Sequence, residues 1–202
     1  MTYIDSVVAP DLSDCRSVTA HYTLRMVFHS AELPKGDNGR LVLLFLQVVD
    51  KAFREYGAGR AVLDAYASSA NESRLYHEGV GRFETCINSV VRALRLADRI
   101  ARAVATPDVN RHTRTRLILA LDALRPLRDA TEHMDEHINS GKLAEGEAHA
   151  LMVAQDGATL EIAKYRLTFT ELAGVLRQLH GLATEIIDGL AAGPPASGTA
   201  NG

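Results

Sequence analysis

The stretch 83–104 constrains this chain most. Phe83, Ile87, Val90, Leu94, Ala97, Ala101 and Val104 recur at alternating intervals of four and three residues. On a helix that repeat is a continuous apolar stripe, which must be buried against other elements. Arg92, Arg95, Arg99 and Arg102 recur at three, four and three. They form a second stripe, turned away from the first. The pattern predicts one long helix over 72–105, opened by Asn71 as its cap, with a core side and a basic outer edge. Such a helix needs a bundle around it.

The rest of the chain supplies the partners. Residues 1–12 read as an extended lead-in. A first helix is expected from Ser13 or Asp14 to about Leu33, and turn chemistry makes 34–39 a loop. A second helix takes 40 to about 56, with Gly57 and Gly59 weakening or bending it before a helical continuation over 60–70. His77 and Glu78 precede Gly79 and Gly81 and mark a local bend. Thr106-Pro107-Asp108 is a helix start. It opens a helix over 107–139 with Leu117, Leu121, Leu124, Leu127, Met134 and Ile138 facing inward. Pro126 is expected to kink it by clashing with the carbonyl of Asp122. Ser140-Gly141 ends it, and 144–149 can add one more turn.

Leu151–Gln155 and Thr159–Arg166 flank Asp156-Gly157, a hairpin signal. In the second arm Leu160, Ile162 and Lys164 would share one face, with Glu161, Ala163 and Tyr165 on the other. A last helix starts near Thr168 or Thr170, with Leu172, Leu176, Leu179, Leu182, Ala183 and Ile186 as its apolar face. The expected fold is all-α: a bundle of four to five helices with a small β-hairpin near 151–166 before the last helix. It forms a single domain over 1–192, followed by a disordered tail over 193–202. No internal repeat is visible.

Composition narrows the setting. The 47% hydrophobic fraction is enough for one core. Cys15 and Cys86 form neither a disulfide framework nor a metal-ligand spacing, which points to a reducing, cytoplasmic environment. The N-terminus has no basic region followed by an apolar core, so no signal peptide is expected. The longest apolar run, Leu41 to Val49, is interrupted by Gln47 and is far short of the roughly 20 residues that span a bilayer. No membrane partner is expected. The formal net charge is −3, yet 82–128 holds ten arginines and four acids, +6 locally. Arginine suits bidentate contact with phosphate. The arginines read either as a polyanion-binding surface or as solvated helix faces in an arginine-rich composition.

The densest charge lies in 117–138. Arg128, Asp129, Glu132, His133, Asp135, Glu136 and His137 fall close together after Pro126. On a helix, positions five apart lie about 140° from each other, so Arg128 and His133 do not share a face. Asp129 and His133 do, at i,i+4, and so do His133 and His137. Asp129 is placed to accept a hydrogen bond from the imidazole and fix its tautomer.

The run Arg128-Asp129-Ala130-Thr131-Glu132-His133 resembles the signature of the HEPN superfamily: arginine, a polar residue, a few more residues, then histidine, on a late helix of a helical bundle. Arg16 to His21 has the same spacing. Only 128–133 has a second residue of the Asn, His or Asp type, the preceding proline and the basic window upstream. The resemblance covers this motif and, in outline, the two helices 72–105 and 107–139. It implies a metal-independent endoribonuclease of toxin–antitoxin or antiphage-defence type, without a cofactor. His133 would be its general acid or base and Arg128 the stabiliser of charge on the phosphorane, with Asp129 in support. It also implies a homodimer with two motifs across a cleft, an RNA substrate, and an antitoxin or nucleotidyltransferase as partner. Arg92, Arg95, Arg99 and Arg102 would be the RNA track.

Three other readings stand beside this one. The first is a non-catalytic dimeric interaction or RNA-binding module of the same fold. The second is structural: Arg128–Glu132 and Arg125–Asp129 are plain i,i+4 ion pairs, and His133 is a half-buried histidine bonded to a carbonyl. The third is a zinc site. His133-Met134-Asp135-Glu136-His137 matches H-x-x-E-H, with Glu161, Glu171 or Glu185 as candidates for a further ligand. The remaining histidines (29, 77, 112, 149 and 180) have no partner visible in the sequence.

Overall fold

The computed structural model describes residues 4, 6–29, 36–69, 72–103, 111–141 and 143–191. The expected Asn71 cap, the Thr106-Pro107-Asp108 start, Val104, residues 34 and 35 and the 193–202 tail lie outside them; the rest of the expected 34–39 loop is described, and a helix already begins in it at Asp37. The described chain runs α1 (Val18–His29), α2 (Asp37–Ser68), α3 (Ser73–Ala103), α4 (Arg111–Glu132), α5 (Met134–Asn139), β1 (Ala148–Val153), β2 (Thr159–Ala163), β3 (Tyr165–Thr168) and α6 (Phe169–Ala191). It is mostly helical, with one small antiparallel sheet in the order β1-β2-β3.

α3 is the central element, as its stripe requires. Phe83, Ile87, Val90, Leu94 and Ala97 are buried. Val80, Cys86, Val91, Ala93, Leu96 and Ile100 are buried as well. The helix is thus covered on more than one side. It packs along α2 and also meets α4, α6 and β1. The buried apolar residues join into one cluster reaching from Ile4 to Ile187.

α2 runs unbroken through Gly57 and Gly59, contrary to the expected weak point, and α3 runs through Gly79 and Gly81. The reason is packing. A Cβ on Gly59 would stand 3.0 Å from the Phe83 ring, and one on Gly79 would stand 2.6 Å from the Leu63 side chain. These two glycines let the helices approach closely. Glu55, buried on α2, pairs with Arg82 of α3 at 3.0 Å across the same contact.

α1 begins later than expected, at Val18. Ser13 closes a local turn on Asp11 instead. The cap comes from a distant element: Asp50 of α2 accepts from the Val18 and Thr19 N–H groups at 2.8 and 3.0 Å and from Ser17 Oγ at 2.7 Å. Ser17 Oγ in turn accepts from the Ala20 N–H. Before α1, residues 6–17 form a strap. The Val8 N–H donates to the Gly157 carbonyl, Tyr56 Oη to the Pro10 carbonyl, and Arg177 to the Asp11 carbonyl and both Asp14 oxygens.

The expected helix over 107–139 is two helices. α4 carries Pro126 inside it without ending there, and the interruption falls at His133, with φ −120° and ψ 27°. Backbone bonds continue across it, from the His133 N–H to the Asp129 carbonyl and from the His137 N–H to the His133 carbonyl. Leu117, Leu124, Leu127 and Met134 are buried and Leu121 partly so, but Ile138 points outward, 52% exposed.

The hairpin is a three-stranded sheet, because its second arm folds back on itself. Ala163 has φ 47°, and Ile162 pairs with Tyr165 across it. Lys164 therefore sits in the turn and not on the Leu160–Ile162 face. The 144–149 stretch ends in β1 and not in a helical turn. The Asp156-Gly157 turn is as expected, with Gly157 at φ +64° and the Ser6 carbonyl of the strap where a Cβ would be. α6 opens on a capping box. The Glu171 N–H donates to Thr168 Oγ1, and the Thr168 N–H to the Glu171 carboxylate. All six residues expected on its apolar face are buried. No helix among the described residues is long and apolar enough to cross a membrane.

Candidate functional site

The candidate site lies where α4 turns into α5. Arg128 is on the last turns of α4, with its side chain 21% exposed. It reaches Asp129 at 3.3 Å and also the Glu132 carboxylate one turn on. The i,i+4 pair expected on structural grounds is therefore present, and it uses the guanidinium. Two carboxylates outweigh the one positive charge there, before any ligand arrives.

His133 stands at the elbow, and its side chain is 53% exposed. Its Nδ1 is 3.6 Å from Glu136 Oε1, too long for a hydrogen bond but within ion-pair range if the ring is protonated. Asp129, expected to orient this imidazole, is bound to Arg128 instead. The backbone bond from the His133 N–H to the Asp129 carbonyl is intact, so the neighbouring guanidinium takes this carboxylate without a break in the helix between the two residues. Glu132, Asp135, Glu136 and His137 surround the elbow, of which His137 is partly buried and the three acids exposed. The cluster is acidic, and phosphate approaching it meets repulsion.

The zinc reading fails on geometry. Among the described residues, no three His, Cys, Asp or Glu side chains converge on a point that could hold a metal ion, so His133, Glu136 and His137 do not form one. Glu161 faces Arg166 at 3.7 Å, Glu171 belongs to the α6 cap, and Glu185 is exposed on α6. Neither thiol is prepared as a nucleophile. Burial pushes Cys86 up, and burial aided by Asp14 pushes Cys15 up.

The arginine stripe is arranged as the sequence implies. Arg92, Arg95, Arg99 and Arg102 are all exposed on α3. Arg102 is tied to Asp98. Arg92, Arg95 and Arg99 have no carboxylate partner among the described residues. They project from a helix whose other faces are buried in the core, so the scaffold beneath them is fixed.

Sequence reasoning missed His180. It lies on α6 with Nε2 at 2.9 Å from the Arg16 carbonyl and its ring edge-on to Phe53 at 5.7 Å. Its partners are far away in sequence and left no local signal. In the second Arg-to-His spacing, Arg16 to His21, no bond joins the two side chains among the described residues. His21 faces Arg25 and Asp188, and Arg16 lies outside α1. Compared with models of protein families, with curated proteins and with solved structures, the chain matches none of them.

Proposed function

We propose that this chain is an RNA-binding helical module of HEPN-like architecture, acting as a binding partner and not as a nuclease within one chain. The observation that carries this reading is the set of arginines on α3 that have no carboxylate partner among the described residues. Arg92, Arg95 and Arg99 are exposed at helical spacing on a rigid core element. Among the described residues no carboxylate has to be released before their guanidiniums meet phosphate, and 92–102 covers about 15 Å of helix. The state of Arg128 argues against cleavage in the isolated chain. A guanidinium shared between Asp129 and Glu132 is not available to stabilise a phosphorane without breaking both contacts.

A nuclease is the second reading, and His133 favours it. A half-exposed imidazole at a helix break, which nothing in the core needs, is placed to exchange protons with a ligand. In that reading a second copy of the chain completes the site by drawing Arg128 away from its acids.

RNA binding measured against salt concentration tests the first reading. Wild type should bind with a clear salt dependence, and Arg95→Glu/Arg99→Glu should abolish most of the binding. Milder Arg95→Ala/Arg99→Ala substitutions should lower the salt slope by roughly one for each phosphate that is no longer neutralised. Equal binding by wild type and the double reversal would sink the proposal. Incubation of the same RNA in EDTA, beside Arg128→Ala/His133→Ala, separates the two readings. Cleavage by wild type alone makes the nuclease reading the correct one.

A further inference from the structure

A second basic surface lies away from the α3 stripe. The strap 6–17 runs beside α2 and encloses with it a cleft of about 490 Å³, within the size range of small-ligand sites. Arg16, Arg54 and Arg60 line it, and its carboxylates are Asp11 and Asp50. The fold already occupies both acids. Asp50 caps α1, and Asp11 accepts from Ser13 and pairs with Arg60 at 3.0 Å. Arg16 and Arg54 are exposed, and their side chains have no partner among the described residues. The cleft lining is therefore net positive, with the Arg16 and Arg54 guanidiniums unpaired among the described residues and the α1 N-terminus already capped.

The wall fits the same ligand class. Gly57 lines the cleft from the interior of α2, and apart from its chain neighbours and its own helix backbone no described atom lies within 4 Å of where its Cβ would stand. A bare stretch of helix lets a bound group approach the backbone closely, although glycine there costs about 1 kcal/mol relative to alanine. Phe53, partly buried, adds an apolar surface beside it. Planar guanidiniums match phosphate oxygens in a way that ammonium groups do not.

We propose that this cleft binds a small phosphorylated ligand, with Arg16 and Arg54 holding the phosphate and Gly57 leaving room for it against α2. The site stands apart from the α3 stripe and does not depend on RNA binding there.

The test is calorimetric titration of the full chain with inorganic pyrophosphate and with AMP at matched ionic strength, sulfate serving as the control anion. Wild type should show saturable binding of at least one probe over sulfate. Arg54→Ala should weaken it about tenfold or more, the loss expected for a charge-assisted contact. Gly57→Leu, whose side chain enters open space and should leave the fold intact by thermal unfolding, should weaken it likewise. Arg95→Glu on α3 should leave it unchanged. No saturable binding of either probe would overturn the proposal. So would equal affinity in wild type, Arg54→Ala and Gly57→Leu, or a loss in Arg95→Glu matching that in Arg54→Ala.

Discussion

Single positions in this protein carry opposite meanings for the same residue type. Gly57 faces open space, whereas Gly79 lies where Leu63 of α2 meets α3. Alanine at 79 gains helix propensity of roughly 1 kcal/mol but must displace a fully buried leucine. Overpacking of that kind costs about 1–3 kcal/mol, so the clash should win. Gly79→Ala is expected to lower stability by up to about 2 kcal/mol in urea unfolding; a raised midpoint would mean that α2 and α3 separate easily here. Arg128 shows the same dependence on context. Its motif is legible in the sequence, and so is its i,i+4 partner Glu132. The sequence does not reveal that Asp129 also turns to the arginine, because its carboxylate has two basic neighbours, Arg128 and His133, and spacing alone does not choose between them.

At the scale of elements, periodicity is a local property, and the long helices could therefore be read from it. Apolar residues three and four apart face one way whatever surrounds them: the six positions read for α6 are buried, as are Phe83, Ile87, Val90, Leu94 and Ala97 of the α3 stripe, with Ala101 partly so, while α3 buries further residues that the stripe did not mark. Element ends were less legible, since distant groups set them. The start of α1 is held by Asp50, more than a helix away in sequence. Asp50→Ala should leave the first N–H groups of α1 without partners and cost about 1–2 kcal/mol. Amide exchange at Val18 and Thr19 should accelerate with it; unchanged protection there would show that the carboxylate does not hold this end. The turn at Ala163 was equally hidden. Alanine does not advertise a positive φ, and the expected long strand folds into two.

Across the whole molecule, the strap joins what the sequence separates. It ties α2, α6 and the Asp156-Gly157 turn together through Tyr56, Arg177, His180 and Gly157. Its acids give it a pH dependence. Hydrogen bonds from Ser13 hold the Asp11 carboxyl below its usual value of 3.8, and Arg177 does the same for Asp14. At the turn that receives the strap, Asp156 is held low by the Ala158 N–H. A carboxyl whose folded pKa is depressed contributes stability that is fully present above its unfolded value and lost as pH falls through the folded one. The strap should therefore stay docked at neutral pH and loosen as pH drops below 3.8. Amide exchange of residues 6–17 across that range checks this, with Asp14→Asn flattening the response. A strap equally protected on both sides of the transition would refute it.

The sequence by itself determined the helical class, the central place of α3 and the exposed arginine stripe on it, because each follows from residues within a few turns of one another. Tertiary structure alone decided the late start of α1, the elbow at His133, the third strand and the arginine cleft beside the strap. Those features depend on groups brought together from distant parts of the chain, or on backbone angles that no side-chain pattern encodes.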